Sequence, residues 1–170
     1  MISTFTDFGQ AIEDFVALIY VQCPRCQRCA QVRRMPDDKK ELLADTSDSG
    51  VRRSYQSSWS PRKLSCLHCS YTALWQGKMQ HRGGPYDWYF GLPLWLQTPC
   101  CGEILWAFNE EHIRFLEQYV TARQRVKFYV KGQVRNRTLA SRLPTWMKSA
   151  KNRSEVIKGL GRLRARLQGI

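Results

Sequence analysis

Acidic side chains are scarce in this chain of 170 residues, which holds 27 Lys and Arg residues against 14 Asp and Glu residues. The net charge of +13 disfavours basic partners and favours polyanions, with nucleic acid first and an anionic membrane surface second. The imbalance is local, because residues 111–170 carry 15 basic residues and only three acidic ones. Clustered charge produces a stronger field than dispersed charge. The alternative interpretation is that these basic segments serve solubility alone.

Long apolar runs are also missing. No stretch of eighteen apolar residues exists, and polar residues and a proline interrupt the most apolar segment, 88–108, which argues against a membrane-spanning helix. The N-terminal residues include Asp7, Glu13 and Asp14, where a secretory signal needs basic and then apolar residues. We therefore expect a cytoplasmic protein. In that reducing environment, paired cysteines bind metals rather than form disulfides.

Sequence motifs of catalysis are absent as well. No His-x-Glu precedes a Pro-Cys-x-x-Cys, the pattern of zinc deaminases. Glu111-His112 is not followed by a second histidine at metalloprotease spacing, and neither a Gly-rich phosphate loop nor a nucleophile elbow occurs. A redox-active Cys-x-x-Cys is normally activated by a helix N-terminus, and neither pair opens a predicted helix. We expect no enzymatic activity and no small-molecule substrate.

Two Cys-x-x-Cys pairs are present, Cys23 with Cys26 and Cys66 with Cys69. Two intervening residues allow a tight turn to present both sulfurs, so each pair supplies half of a tetrahedral site. We predict one structural Zn²⁺ ion bound by these four cysteines. Two alternatives stay open: a metal-free site of reduced thiols, and an iron–sulfur cluster, because Cys29 extends the first pair to Cys-x2-Cys-x2-Cys.

The sequence leaves open whether the other three cysteines contribute to a metal site. Cys29 could replace Cys26 as a ligand. Cys100 and Cys101 are adjacent, so their binding to one ion in a relaxed geometry is disfavoured, and a second site would need a partner such as His68. Alternatively, the turn that contains Cys100 and Cys101 packs beside the zinc site as a third hairpin.

The segments CPRC and CLHC resemble the two knuckles of the zinc-ribbon superfamily, over residues 21–34 and 62–76. The resemblance implies that each knuckle joins two strands and that four cysteines bind one zinc ion. Knuckles of that superfamily usually carry Gly after the second cysteine, whereas Gln27 and Ser70 stand here. Zinc ribbons often contact nucleic acids or polymerases, so the resemblance implies the same partner class as the charge.

A second resemblance covers residues 93–120 (PLWLQTPCCGEILWAFNEEHIRFLEQYV) and 143–153 (LPTWMKSAKNR). These stretches resemble a family of small bacterial proteins without assigned function, which also carry paired cysteines near the N-terminus. The resemblance implies a bacterial zinc-binding protein and brings no activity with it.

Hydrophobic periodicity predicts helices over 7–20 and 110–128, the second capped by Asn109. A last basic helix is predicted to begin at Asn152, with Glu155 completing a capping box. The predicted fold class is α+β: a small zinc-bound antiparallel β unit packed with N-terminal and C-terminal helices, extended by the hairpin at Cys100-Cys101.

The predicted domains are a zinc-ribbon-like domain over 1–131, with a mobile insertion at about 36–60, and a basic helical extension over 132–170. Of the histidines, His68 is expected to be exposed within the second knuckle. His112 is expected on the surface at the start of a helix.

The sequence as a whole predicts a non-catalytic structural-zinc protein that binds nucleic acid through its basic C-terminal region. The predicted phosphate contacts are the cations of the last helix, Arg153, Lys158, Arg162, Arg164 and Arg166. The alternative is a zinc-stabilised protein–protein interaction or regulatory module, with some of the six tryptophans as anchors. Membrane-surface binding by the last helix is a third and weaker hypothesis.

Overall fold

The chain folds into two compact units. The computed structural model describes residues 3–35, 60–79, 83–127 and 138–170. Val16–Trp95 form one unit, called here the knuckle unit, and Met1–Phe15 with Leu96–Ile170 form the other, called the helical unit. The predicted boundary at residue 131 and, apart from Ser60, the predicted insertion lie outside the described residues.

The described residues contain both helices and strands, so the predicted α+β class is confirmed. In chain order the strands are β1 (Thr4–Asp7), β2 (Leu18–Gln22), β3 (Cys29–Arg34), β4 (Arg62–Ser65), β5 (Thr72–Trp75), β6 (Gln97–Cys100), β7 (Glu103–Trp106) and β8 (Gln124–Lys127). The α-helices are α1 (Glu110–Thr121), α2 (Leu139–Arg142), α3 (Thr145–Lys148) and α4 (Arg153–Gln168), and the 3-10 turns are Ile12–Phe15 and Ala150–Asn152. Among the described residues, no helix is long and apolar enough to cross a membrane.

The knuckle unit is built on an antiparallel sheet in the order β2-β3-β4-β5. Side chains alternate between the two faces of a strand, and the inward positions at the centre of this sheet are apolar. Ile19 lies opposite Val32, and Val32 lies opposite Leu64, and all three are buried. This row forms the centre of the unit's core.

Arg62 is a buried cation on the inward face of this sheet. Its Nη1 atom donates a hydrogen bond to the carbonyl oxygen of Val16 at 2.6 Å, and its guanidinium carbon lies 4.5 Å from the centre of the Tyr89 ring. Burial lowers the pKa of Arg62. Because a buried charge needs such partners, Arg62 ties β4 to the chain before β2 and to the Tyr89 ring.

Residues 83–95 close the knuckle unit along the edge of β2, where the backbone N–H of Gln22 donates to the carbonyl oxygen of Pro93 at 2.9 Å. The carboxylate of Asp87 is buried and accepts backbone N–H groups from Tyr89, Phe90 and Leu92. Burial raises the pKa of Asp87, and the three donors oppose that shift. The acid therefore shapes a turn and adds no charge to the surface.

In the helical unit, helix α4 packs against the hairpin of β6 and β7 and against α1. The hairpin turns at Cys101 and Gly102, as predicted, and both residues have positive φ. A Cβ atom on Gly159 would lie 2.7 Å from Cδ2 of Leu105, so a larger residue in α4 would require the buried Leu105 side chain on β7 to shift. Hairpin and sheet are separate, so the predicted extension of the zinc-bound sheet by this hairpin is wrong.

The predicted helix over 7–20 is wrong. The segment contains the end of β1, the 3-10 turn and the start of β2. Gly9 has φ 91°, which interrupts any helix, and the Asp7 carboxylate accepts from Gly9 N and Thr138 Oγ1 instead of capping one. Strand β1 pairs in parallel with β8, from Thr4 opposite Gln124 onward. The helix predicted over 110–128 ends at Thr121, because Gln124–Lys127 form strand β8 instead.

Both predicted helix starts are confirmed, but the two capping side chains differ. Asn109 caps α1 as predicted, because its Oδ1 accepts from the backbone N–H of His112 at 2.9 Å. Its Nδ2 also donates to the carbonyl oxygen of Phe15. The predicted capping box at Asn152 is wrong, since that side chain makes no cap hydrogen bond and donates instead to the carbonyl oxygen of Trp146.

His112 is buried, at 2% exposure, so its predicted surface position is wrong. Its ring stacks on Phe15 at a centroid distance of 5.0 Å, and Nδ1 accepts from the backbone N–H of Phe108 at 3.3 Å. Burial lowers the pKa of His112 to about 3. The fold therefore holds this imidazole neutral.

We expect the buried His112 to make the fold sensitive to acid. Its pKa is near 6.5 when unfolded and lower when folded, so its contribution to stability is complete above pH 6.5 and is lost as pH falls below that value. The wild-type unfolding free energy, relative to that of His112→Gln, should fall by about 1.4 kcal/mol per pH unit between about pH 6 and pH 4. Urea unfolding of both proteins at each pH measures this, and acid effects at other residues are common to both. Parallel pH profiles would contradict it.

Candidate metal centre

The two Cys-x-x-Cys segments form the turns between β2 and β3 and between β4 and β5. In the first turn, the backbone N–H of Cys23 donates to the carbonyl oxygen of Arg28 at 2.8 Å, and that of Gln27 donates to Cys23 at 2.9 Å. In the second, the equivalent bonds run from Cys66 to Tyr71 at 2.9 Å and from Ser70 to Cys66 at 3.0 Å. Both turns therefore share one backbone geometry.

Each turn also places the residue after its second cysteine in the left-handed region. Gln27 has φ 59° and Ser70 has φ 58°. This conformation costs a residue with a side chain roughly 1–2 kcal/mol, which is why Gly is favoured there. The departure from the zinc-ribbon pattern changes the residue at this position but not the shape of the turn.

The sulfur atoms of the four predicted ligands come together. Cys23 Sγ lies 3.6 Å from Cys69 Sγ, and Cys26 Sγ lies 3.6 Å from Cys66 Sγ. All four sulfurs lie within 4.8 Å of one another. Four sulfurs placed about 2.3 Å from a central ion form a tetrahedron with edges of about 3.8 Å. The arrangement therefore fits one tetrahedrally bound metal ion, with each knuckle supplying two ligands.

The electrostatics of the group suit a cation. Burial opposes the Cys66 thiolate, but backbone N–H groups of Cys69 and His68 donate to its sulfur, and its pKa falls to about 7. Tyr71 N–H favours the Cys69 thiolate, yet burial and the three other sulfurs raise the pKa of Cys69 to about 12. Ionisation of one sulfur therefore hinders ionisation of the next. A divalent cation removes that conflict by stabilising all four thiolates.

The other cysteines lie outside this group. Burial, with a smaller contribution from Cys66, raises the pKa of Cys29 to about 12. The four sulfurs that lie within 4.8 Å of one another include Cys26 and not Cys29, so the possibility that Cys29 replaces Cys26 is wrong. In the helical unit, Cys100 Sγ lies 3.8 Å from Cys101 Sγ and 3.6 Å from the carbonyl oxygen of Glu155. Within the described ranges, no second group of three or more metal-binding side chains occurs.

His68 is exposed, as predicted, and its Nδ1 lies 3.2 Å from Nη1 of Arg28. Because Arg28 follows the first knuckle and His68 lies in the second, the contact joins the two turns beside the metal ligands. Sequence reasoning did not single out Arg28, although its place two residues after Cys26 was visible.

The predicted nucleic-acid-binding residues all lie on α4, and each has a neighbour in the helical unit. Two pair with acids: Lys158 Nζ lies 2.9 Å from Glu155 Oε1, and Arg164 Nη2 lies 2.6 Å from Glu117 Oε2. The other three donate to backbone carbonyl oxygens, Arg153 to Ala122, Arg162 to Pro99 and Arg166 to Gln97. Of the five, Lys158, Arg162 and Arg166 are exposed.

Comparison with known proteins yields no match to a family model, a curated protein or a solved structure.

We expect loss of one cysteine ligand to release the metal. The Cys66→Ser hydroxyl is a poor zinc ligand, so this variant should lose its ion and much of the knuckle unit's stability. Native mass spectrometry should find one zinc ion on the wild type and none on Cys66→Ser. Cys29→Ser is the matched control and should keep its ion. A stable, metal-free Cys66→Ser protein, or equal metal loss from Cys29→Ser, would contradict the ligand set.

We expect Ser70→Gly to stabilise the knuckle unit by about 0.5–1 kcal/mol, because Gly avoids most of the cost of the left-handed conformation. Ser70→Val should be destabilising, since a β-branched residue tolerates that conformation least. Urea unfolding, monitored through the release of zinc, measures the stability of both variants. Ser154→Gly, in the right-handed helix α4, is the control and should give no gain. Stabilisation by Val would show that the backbone at Ser70 is not under strain.

Proposed function

We propose that this chain is a non-catalytic protein that uses one structural zinc ion to hold its knuckle unit together and binds nucleic acid. The observation that carries the proposal is the group of four cysteine sulfurs within 4.8 Å of one another. Four thiolates in tetrahedral reach favour Zn²⁺ or an iron–sulfur cluster among common metal centres. Ligand sulfurs 3.6 Å apart leave room for a single ion rather than for several irons with bridging sulfides. We therefore favour zinc.

The four-sulfur ligand set also supports a structural role. Catalytic zinc sites keep one position open for water or substrate, whereas four thiolates close the coordination shell. The cysteines lie in turns between short strands, where an ion can hold two turns together. Because all seven cysteines are free thiols, a reducing compartment suits the protein, and we propose the cytoplasm.

Nucleic acid is the partner that the charge favours. On α4, Arg162 and Arg166 are exposed, lie one turn apart and extend toward β6, where both donate to carbonyl oxygens. The charges of Lys158 and Arg164 are offset by acids in direct contact. Because Arg162 and Arg166 are exposed on neighbouring turns of one helix face, we assign the helix's phosphate contacts first to them, with Arg153, Lys158 and Arg164 contributing less.

A protein partner is the second candidate, and exposed leucines favour it. Leu67 in the second knuckle is 79% exposed and Leu74 on β5 is 61% exposed. The described tryptophans give less support to a protein partner, because Trp75 and Trp88 are buried and cannot act as interface anchors. A pull-down with and without nuclease distinguishes the candidates, because partners bridged by nucleic acid are lost on digestion.

We expect the protein to bind DNA or RNA with steep salt dependence, as counterions are released from phosphates. The double change Arg162→Gln/Arg166→Gln should lower the slope of log affinity against log salt by about 1–2. Lys158→Gln/Arg164→Gln removes the same charge and should have the smaller effect. Fluorescence anisotropy with labelled duplex and single strands measures each. Absence of any binding at low salt would contradict the proposal and favour a protein partner.

A further inference from the structure

The described surface of the knuckle unit carries cations without acids. Asp87 is the only acidic residue among its described residues, and it is buried. The exposed basic residues are Arg25, Arg28, Arg33, Arg34, Lys63 and Lys78. Residues 36–59, outside the described part, hold five acids and four bases, so their net charge of −1 leaves the unit strongly basic.

Strand alternation places two of these cations in the middle of one sheet face. The face opposite the core presents a first row of Leu18, Arg33, Lys63 and Leu74, each directly across from the next. A second row consists of Tyr20, Gln31, Ser65 and Thr72. The face therefore combines cations, hydrogen-bonding groups, a tyrosine and leucines.

Arg33 and Lys63 are exposed and lie directly opposite each other on neighbouring strands. Like charges in that position repel and destabilise a sheet. Arg33 Nε donates to Gln31 Oε1 at 2.8 Å, a neutral acceptor that orients the guanidinium without offsetting its charge. Among the described residues, neither cation forms an ion pair, whereas Lys158 and Arg164 on α4 both do. An anion bound across this face would remove the repulsion.

We infer that this face of the sheet binds single-stranded nucleic acid, with Arg33 and Lys63 contacting phosphates and Tyr20 offering a ring beside them. The inference rests on the proposed function and names the surface on which it occurs.

The width of the sheet favours a single strand over a duplex. Four strands spaced about 4.8 Å apart span roughly 14 Å before side chains are added, more than a major groove about 12 Å wide accepts. A single strand can lie flat on such a surface and pair phosphates with cations while its bases meet tyrosine and leucine side chains. An acidic protein would also pair with Arg33 and Lys63, but it would make no use of the Tyr20 ring.

The test compares two charge-matched double variants of the full-length zinc-bound protein. Arg33→Gln/Lys63→Gln removes the sheet cations, and Lys78→Gln/Arg142→Gln removes two exposed cations elsewhere. Fluorescence anisotropy uses labelled oligothymidylate of about 20 nucleotides, a duplex of equal length and poly-glutamate, at several salt concentrations. Zinc stoichiometry and circular dichroism establish that each variant is folded.

The sheet variant should bind oligothymidylate at least about tenfold more weakly at about 50 mM salt, with a salt slope lower by about 1.4. The control should change less than about threefold. If the wild type binds nucleic acid and both variants weaken alike, the sheet assignment is wrong while the proposed function stands. If the wild type binds no nucleic acid, the proposed function is wrong as well. Tighter binding to the duplex would overturn the single-strand assignment, and equal, sheet-dependent binding to poly-glutamate would favour an acidic protein.

Discussion

The knuckle unit depends on the convergence of four sulfur atoms from two turns that are 40 residues apart in the chain. Its strands have four to six residues, and such short strands bury little apolar surface. A metal ion bound by the four sulfurs would join the β2–β3 hairpin to the β4–β5 hairpin at one end of the sheet. At the inward face, the buried guanidinium of Arg62 joins β4 to the carbonyl oxygen of Val16 and to the Tyr89 ring.

Local chemistry could be predicted from the sequence, because it depends on residues close in the chain. The cysteine spacing predicted the ligand set, and Asn109 predicted the start of α1. The helix predicted over 7–20 failed because Gly9 has a left-handed backbone conformation and both ends of the segment belong to strands. At one end, β1 pairs with β8, about 120 residues away. Burial of His112 escaped prediction for the same reason, since its stacking partner is Phe15.

Charge shows the same limit in another form. Counting residues along the sequence placed the excess of basic over acidic residues in the last third of the chain, where it is largest. In space, Glu117 and Glu155 offset part of that excess on α4, whereas the smaller number of cations on the sheet have no described acid beside them. The electric field at a surface depends on which charges lie close together in space. A sum of charges along a segment of sequence does not contain that information.

The order of the units along the chain has a consequence for synthesis. The helical unit is discontinuous, because its first strand precedes the knuckle unit and its remaining elements follow it. At a ribosomal rate of about 5–20 residues per second, β1 waits roughly 6–25 seconds before β8 exists to pair with it. The knuckle unit is complete well before then. If the proposed metal ion binds to the knuckle unit, it can do so first during translation, and a nascent chain without that ion would expose two unfinished units at once.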